Sequence, residues 1–171
     1  YMDVSVIIVN YNTHVLLKNI VESLYEKTIN VSFELIIVDN NSKIRPSDYL
    51  TSYDNGIVFI DLDENLGFGR ANKEGLKVAN GRNILIKNPD TILINNAIKI
   101  LSDYLDSNEK VGACGGNLYD EEMSPTHSYQ RMFPSVLTEL ADFVCPFFQN
   151  MPFLLYKEYN FSDKPIIVAY I

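Results

Sequence analysis

Three short runs constrain this chain most: Val4-Ser-Val-Ile-Ile-Val9, Phe33-Glu-Leu-Ile-Ile-Val38 and Gly56-Ile-Val-Phe-Ile60. Each is apolar and β-branched almost throughout, as a strand must be when both faces of its sheet are covered. Each also ends abruptly in asparagine or aspartate, at Asn10, Asp39 and Asp61. A fourth run, Asn83-Ile-Leu-Ile86, ends at Lys87-Asn-Pro-Asp90, and Val111 to Leu118 is expected to add a fifth strand. Between the runs lie helical periodicities. Leu16, Leu17, Ile20, Val21 and Leu24 share one face behind a cap expected from Asn12 or Thr13. Further helices are predicted from Gly67 to Val78, stopped by Asn80-Gly81, and from Asn95 to Leu105. Strands alternating with helices imply βαβ units and a largely parallel α/β sheet.

From Ser124 the pattern loosens. Thr126 to Phe133 is expected as strand and loop, Ser135 to Val144 as a helix stopped by Pro146, and Ile166 to Ile171 as the start of a strand. The apolar, aromatic stretch from Val136 to Tyr156 is expected to bury against core or interface, with contact to a membrane-bound acceptor as the second reading.

Charge removes some functions. With a net charge of -8 the chain lacks the basic surface that a general nucleic-acid binder needs, so no nucleic-acid partner is expected. Cys114 and Cys145 match no zinc spacing or disulfide framework and read as thiols in a reducing compartment. No apolar run reaches the roughly 18 residues of a membrane span, and no secretory leader pattern opens the chain, so a cytoplasmic location is expected.

In open parallel sheets ligands sit beyond the carboxyl ends of the strands. Asn10-Tyr11-Asn12, Asp39-Asn40-Asn41 and Asn88-Pro-Asp90 all gather at those ends. One such cluster is most simply a turn or cap; three on one edge favour a site. Tyr11 offers a flat face for a base, although a packed core aromatic is an equal reading of that residue taken alone. Asp39 can accept a hydrogen bond from a ring N–H. Asp90 is a hard oxygen ligand suited to Mg²⁺ or Mn²⁺, with a capping turn as its rival. The stretch Gly67-Phe-Gly-Arg-Ala-Asn-Lys-Glu-Gly75 lacks the spacing of a dinucleotide fingerprint, yet a glycine-bearing helix start can approach phosphate. Arg70 adds a cation there and Asn72 a donor and an acceptor. The acidic run Asp120-Glu-Glu122 is expected as a solvated turn, and His14 and His127 as isolated surface residues.

Four segments, Val4-Ser-Val-Ile-Ile-Val-Asn-Tyr-Asn12, Ile37-Val-Asp-Asn-Asn-Ser42, Glu64-Asn-Leu-Gly-Phe-Gly-Arg-Ala-Asn72 and Asn88-Pro-Asp-Thr91, resemble in order the motifs of family 2 glycosyltransferases, nearest to the rhamnosyltransferase-like branch of bacterial surface-polysaccharide assembly. The resemblance implies a GT-A fold, a largely parallel sheet flanked by helices with a Rossmann-like nucleotide-binding half. It implies inverting transfer of a sugar from a UDP- or dTDP-sugar donor to a glycan or lipid-linked acceptor. By position Asn10 and Tyr11 would flank the base, Asp39 would read its N–H, and Arg70, Asn72 and Asn88 would line the nucleotide. Asp90 would be the last acid of the family's DXD motif and hold the metal. Asn88 stands where that motif has its first acid, leaving one carboxylate. Arg70 stands two residues before Asn72, where the family pattern has the two adjacent.

At 171 residues the length is that of a single domain, 1–171, expected to be incomplete at its C-terminal end, with a donor-binding half at 1–120 and the start of an acceptor side at 121–171. The family's base belongs to a Glu-Asp motif expected beyond Ile171, so these residues are expected to bind nucleotide and to transfer sugar poorly or not at all. The alternative is a non-catalytic nucleotide- or partner-binding domain on the same core. A sugar nucleotidyltransferase would carry a Gly-rich basic loop after its first strand, and Val9-Asn-Tyr-Asn12 has no glycine.

Overall fold

A computed structural model describes residues 1–53 and 56–126, together with the strand residues 166–167. Residues 1–107 form one compact unit and residues 108–171 a second.

The first unit is built on strands β1 (Met2–Asn10), β2 (Phe33–Asp39), β3 (Ile57–Asp61) and β4 (Gly81–Lys87). They pair in the order β3-β2-β1-β4, every neighbouring pair parallel. Because side chains alternate across a strand, the two faces bury different residues. Val4, Val6, Ile8, Leu35 and Ile37 form one core with Leu17, Ile20, Val21 and Leu24 of α1 (His14–Lys27) and Ile98 of α4 (Ala97–Ser107). Ile7, Val9, Ile36 and Val38 face the other way and meet Ala71 of α3 (Phe68–Leu76). Gly75 lets α3 approach closely, since a Cβ there would lie 2.7 Å from Ile7 Cγ2.

The chain runs outward from β1 to β2 and β3, then returns to place β4 on the far side of β1. The order therefore reverses between β1 and β4. This switch point is where an open parallel sheet leaves a crevice at its carboxyl edge.

Several expectations need correction. Neither Asn12 nor Thr13 caps α1 with its side chain; Thr13 Oγ1 donates instead to Asn10 Oδ1 at 2.8 Å. Helix α3 ends at Leu76 rather than Val78, and Gly81 opens β4, where a Cβ would lie 2.2 Å from Ser5 N. A single turn of helix, α2 (Pro46–Tyr49), also follows β2. The fifth strand does not run through Val111 to Leu118. In the second unit, β5 (Cys114–Gly115) pairs antiparallel with β8 (Ile166–Ile167), and β6 (Leu118–Tyr119) with β7 (Pro125–Thr126). Gly115 and Gly116 carry no side chain to pack a continuous strand.

Asp120 closes the β6–β7 hairpin, its Oδ1 accepting from Glu122 N and Ser124 N, so the acidic run is a turn as expected. His14 packs edge-on against Tyr49. Cys114 is half-buried, and burial pushes its thiol pKa up. The helix expected over Ser135 to Val144, the stretch from Val136 to Tyr156, His127 and Cys145 lie outside the described residues.

Candidate functional site

Parallel register brings Asn10 opposite Asp39, both at the carboxyl ends of their strands. Asn10 Nδ2 donates to Asp39 Oδ1 at 2.8 Å and to Ser42 Oγ at 3.0 Å. Asp39 Oδ2 accepts from Ser42 N at 2.9 Å and from Arg45 Nη1 at 3.0 Å. Arg45 Nη1 also donates to Leu62 O at 3.1 Å and lies 3.9 Å from Asp61 Oδ1. The Asp39 carboxylate, 1% exposed, thus joins the ends of β1, β2 and β3. A buried carboxylate needs such partners, because an unpaired one is costly to take out of water.

The next layer is made of asparagines. Asn12 N donates to Ser42 Oγ at 2.8 Å, and Asn12 Oδ1 accepts from Lys43 N at 2.9 Å. Asn12 and Asn41 have positive φ, 56° and 67°, a conformation asparagine tolerates better than most residues. Asn40 donates to Asn65 Oδ1 at 2.7 Å and accepts from Leu66 N at 2.8 Å. Asn65 Oδ1 also accepts from Gly67 N at 2.9 Å. This clamp ties the end of β2 to the loop entering α3, which turns at Gly67 with φ of 77°.

Tyr11 is 49% exposed beside this cluster, so the core-aromatic reading fails. At the end of β4, Asn88 and Asp90 are exposed, and Thr91 Oγ1 donates to Asn88 O at 3.1 Å. Helix α4 starts only at Ala97, too far along for Asp90 to cap it. The Asp90 carboxylate takes no hydrogen bond from the described residues. Lys87, just before, contacts Thr91 Oγ1; burial pushes its pKa down and the Asp90 charge pulls it partly back. β2 and β4 flank β1, so Asp39 and the start of the Asn88–Asp90 turn stand two strand spacings apart, about 10 Å.

The two α3 residues diverge. Asn72 is 4% exposed, its Nδ2 donating to Phe68 O at 3.0 Å while its buried Oδ1 has no partner among the described residues. Arg70 is exposed and pairs with none of the described residues. Sequence reasoning assigned no role to Asn40, Ser42, Arg45 or Asn65. The first two stand inside the Ile37–Ser42 motif and Asn65 inside the next, so position could have marked them; nothing local marks Arg45. Tyr49 is a further neighbour: burial and then the Asp39 charge push its pKa up to about 12, and its buried hydroxyl has no partner among the described residues.

No group of three metal-ligating side chains occurs among the described residues. Asp90, a lone carboxylate on an exposed turn, fits a Mg²⁺ or Mn²⁺ ion that completes its shell with diphosphate oxygens and water. It does not fit a cage formed by protein alone.

An open parallel sheet with its polar residues collected at the carboxyl edge defines a nucleotide-binding α/β class, and the fold is the GT-A fold. The profile of Glycosyl transferase family 2 matches residues 5–168, and the chain belongs to that family. An uncharacterized glycosyltransferase of Methanocaldococcus jannaschii is 27% identical over 112 residues, which are 63% of this chain and 39% of that protein. The minor teichoic acid biosynthesis protein GgaB of Bacillus subtilis is 30% identical over 112 residues, 63% of this chain and 12% of that protein. The chain thus spans less than half the length of these curated relatives.

Among solved structures, S. aureus TarS (1–349) in complex with UDP-GlcNAc superposes with a TM-score of 0.57 at 26% identity, covering 63% of this chain and 32% of that one. The mannosyltransferase PcManGT from Pyrobaculum calidifontis, in complex with GDP-Man and Mn²⁺, shares the fold at TM-score 0.58 and 19% identity, over 70% of this chain and 36% of that one.

Proposed function

We propose that this chain is the donor-binding part of a glycosyltransferase that moves a hexosyl or rhamnosyl group, with inversion, from a UDP- or dTDP-sugar to a glycan or lipid-linked acceptor in bacterial surface-polysaccharide synthesis. The observation carrying this reading is the Asn10–Asp39 pair at the sheet's carboxyl edge, beside the half-exposed Tyr11 ring. Three of the four acceptor positions of the Asp39 carboxylate are filled by protein donors. One, on Oδ1, is left for a ring N–H. Asp39 is 1% exposed, and in this reading the Tyr11 ring, 49% exposed and next in sequence to Asn10, stacks on the base.

In this reading Asn10 and Tyr11 flank the base, and Asn72 and Asn88 line the nucleotide. Arg70, on the solvent side of α3, meets the diphosphate from outside. Asp90 holds a divalent metal together with the donor diphosphate; when bound, the metal neutralises charge that develops on the leaving group. The minor teichoic acid biosynthesis role of GgaB and the UDP-GlcNAc bound to TarS support the donor and pathway classes. No helix among the described residues is long and apolar enough to cross a membrane. A cytoplasmic place at the membrane's inner face, with peripheral contact to a lipid-linked acceptor, belongs to the same proposal.

Calorimetry of the chain with UDP and dTDP, with and without Mn²⁺, tests it. Binding of either nucleotide, strengthened by the metal, is expected. A folded sample that binds neither overturns the reading.

A further inference from the structure

Arg45 lies outside every motif, yet its guanidinium holds the same Asp39 carboxylate that the proposed base would meet. Its Nη1 donates to Asp39 Oδ2 at 3.0 Å, where Ser42 N also donates at 2.9 Å. A carboxylate oxygen has two lone-pair positions, so Oδ2 is full. Asn10 Nδ2 takes one position on Oδ1. Arg45 is 32% exposed, and its Nε and Nη2 donate to none of the described residues.

We propose that Arg45 is a specificity-determining residue for the base: by filling Oδ2 with Ser42 N it leaves Asp39 one acceptor, on Oδ1, and it brings the N–H donors that no described residue uses to the same carboxylate, on its Oδ2 side. The inference rests on Asp39 as the base reader. One acceptor flanked by a donor matches the imide edge of uracil or thymine, a single ring N–H between two carbonyls. It mismatches the other bases in different ways. Guanine presents two adjacent donors, the ring N–H and the exocyclic amine, and needs two acceptors. Cytosine presents a lone pair at the corresponding ring nitrogen, which would face the open lone pair of Oδ1. An unpaired buried polar group is what makes such a site selective.

Removing Arg45 therefore does more than weaken binding. It reopens an acceptor on Oδ2, creating the two-acceptor edge that guanine requires, and it deletes the donor for the uracil carbonyl. Lysine at this position keeps a cation on Oδ2 and restores part of the preference, without the planar fork.

The test is calorimetry of UDP, GDP and CDP against the wild-type chain, Arg45→Ala and Arg45→Lys, each checked by circular dichroism for a cooperative melt. The wild type is expected to prefer UDP. Arg45→Ala should narrow the UDP-over-GDP ratio about tenfold, the worth of one charge-assisted hydrogen bond, with Arg45→Lys in between. Equal weakening of UDP and GDP, or an unchanged ratio, in either folded variant overturns the role of Arg45 alone. A folded wild type that binds no nucleotide overturns the donor-binding reading and this inference with it.

Discussion

Asn10 and Asp39, the last residues of adjacent parallel strands, are joined side chain to side chain by a 2.8 Å hydrogen bond in which the Asn10 amide donates. Both are buried, at 0% and 1% exposure, so neither can trade its partner for water. Losing either leaves the other under-satisfied, which costs about 1–3 kcal/mol per orphaned group. Asn10→Ala and Asp39→Ala should each destabilise the fold by about 2 kcal/mol, and the double variant by clearly less than the sum. Denaturant titration of the four proteins measures this. Strict additivity would show that the pair is geometry without energy.

This pair also marks how much was legible beforehand. Strands β1 and β2 were readable because a strand buried on both faces is a continuous apolar run, and the polar residues ending each run located the edge of the sheet; the same apolar signal marked β4, although Ile84 and Ile86 are exposed there. Hydrogen-bond partners were not readable. Asn12 and Thr13 have the composition of a helix cap, but their side chains are taken by Lys43 N and Asn10, groups that only tertiary structure brings near. Whether Tyr11 faced the core or solvent was undecidable from one aromatic among polar neighbours. The stretch Val111 to Leu118 passed for a strand because its apolar content outweighed three glycines. Arg45 gave no local sign, since its role depends on a loop that folds it back onto Asp39.

The Asn40 clamp leads to a second prediction. Asn40 bonds both Asn65 and Leu66 N, fixing the loop that enters α3 at the positive-φ Gly67. Asn40→Ala removes both bonds and should cost about 1–2 kcal/mol. Hydrogen exchange should show the loss concentrated at Leu66 and Gly67, with the β1–β2 ladder still protected. Uniform deprotection of the sheet would mean that Asn40 supports the core and not the loop.

Tyr49 gives a pH dependence. Its pKa is raised from 10.0 to about 12, by burial first and the Asp39 charge second. The unfolded chain therefore releases this proton before the folded one does. The sign follows: the contribution is complete below pH 10.0 and is lost as pH rises toward about 12. Tyr49→Phe should flatten this alkaline fall in stability, while the smaller part due to Tyr25, whose pKa burial also raises, persists. Thermal melts from pH 8 to 11.5 compare the two proteins, and parallel curves would show that Tyr49 is solvated in the folded state.

Metal and nucleotide should bind as a coupled pair. Asp90 stands without a second acid at Asn88, and Lys87 places a cation nearby, so Mn²⁺ alone meets one carboxylate and a repulsive charge. In the proposed reading, donor diphosphate oxygens would supply what the turn lacks. Linkage then requires that Mn²⁺ tighten UDP by the same factor by which UDP tightens Mn²⁺. Asp90→Asn should abolish this mutual gain while leaving the metal-free affinity for UDP close to wild type, because the base contacts proposed for Asp39 are untouched. Calorimetry in both orders of addition decides it. Mn²⁺ that binds equally tightly with and without UDP would place the metal elsewhere and remove Asp90 from the donor site.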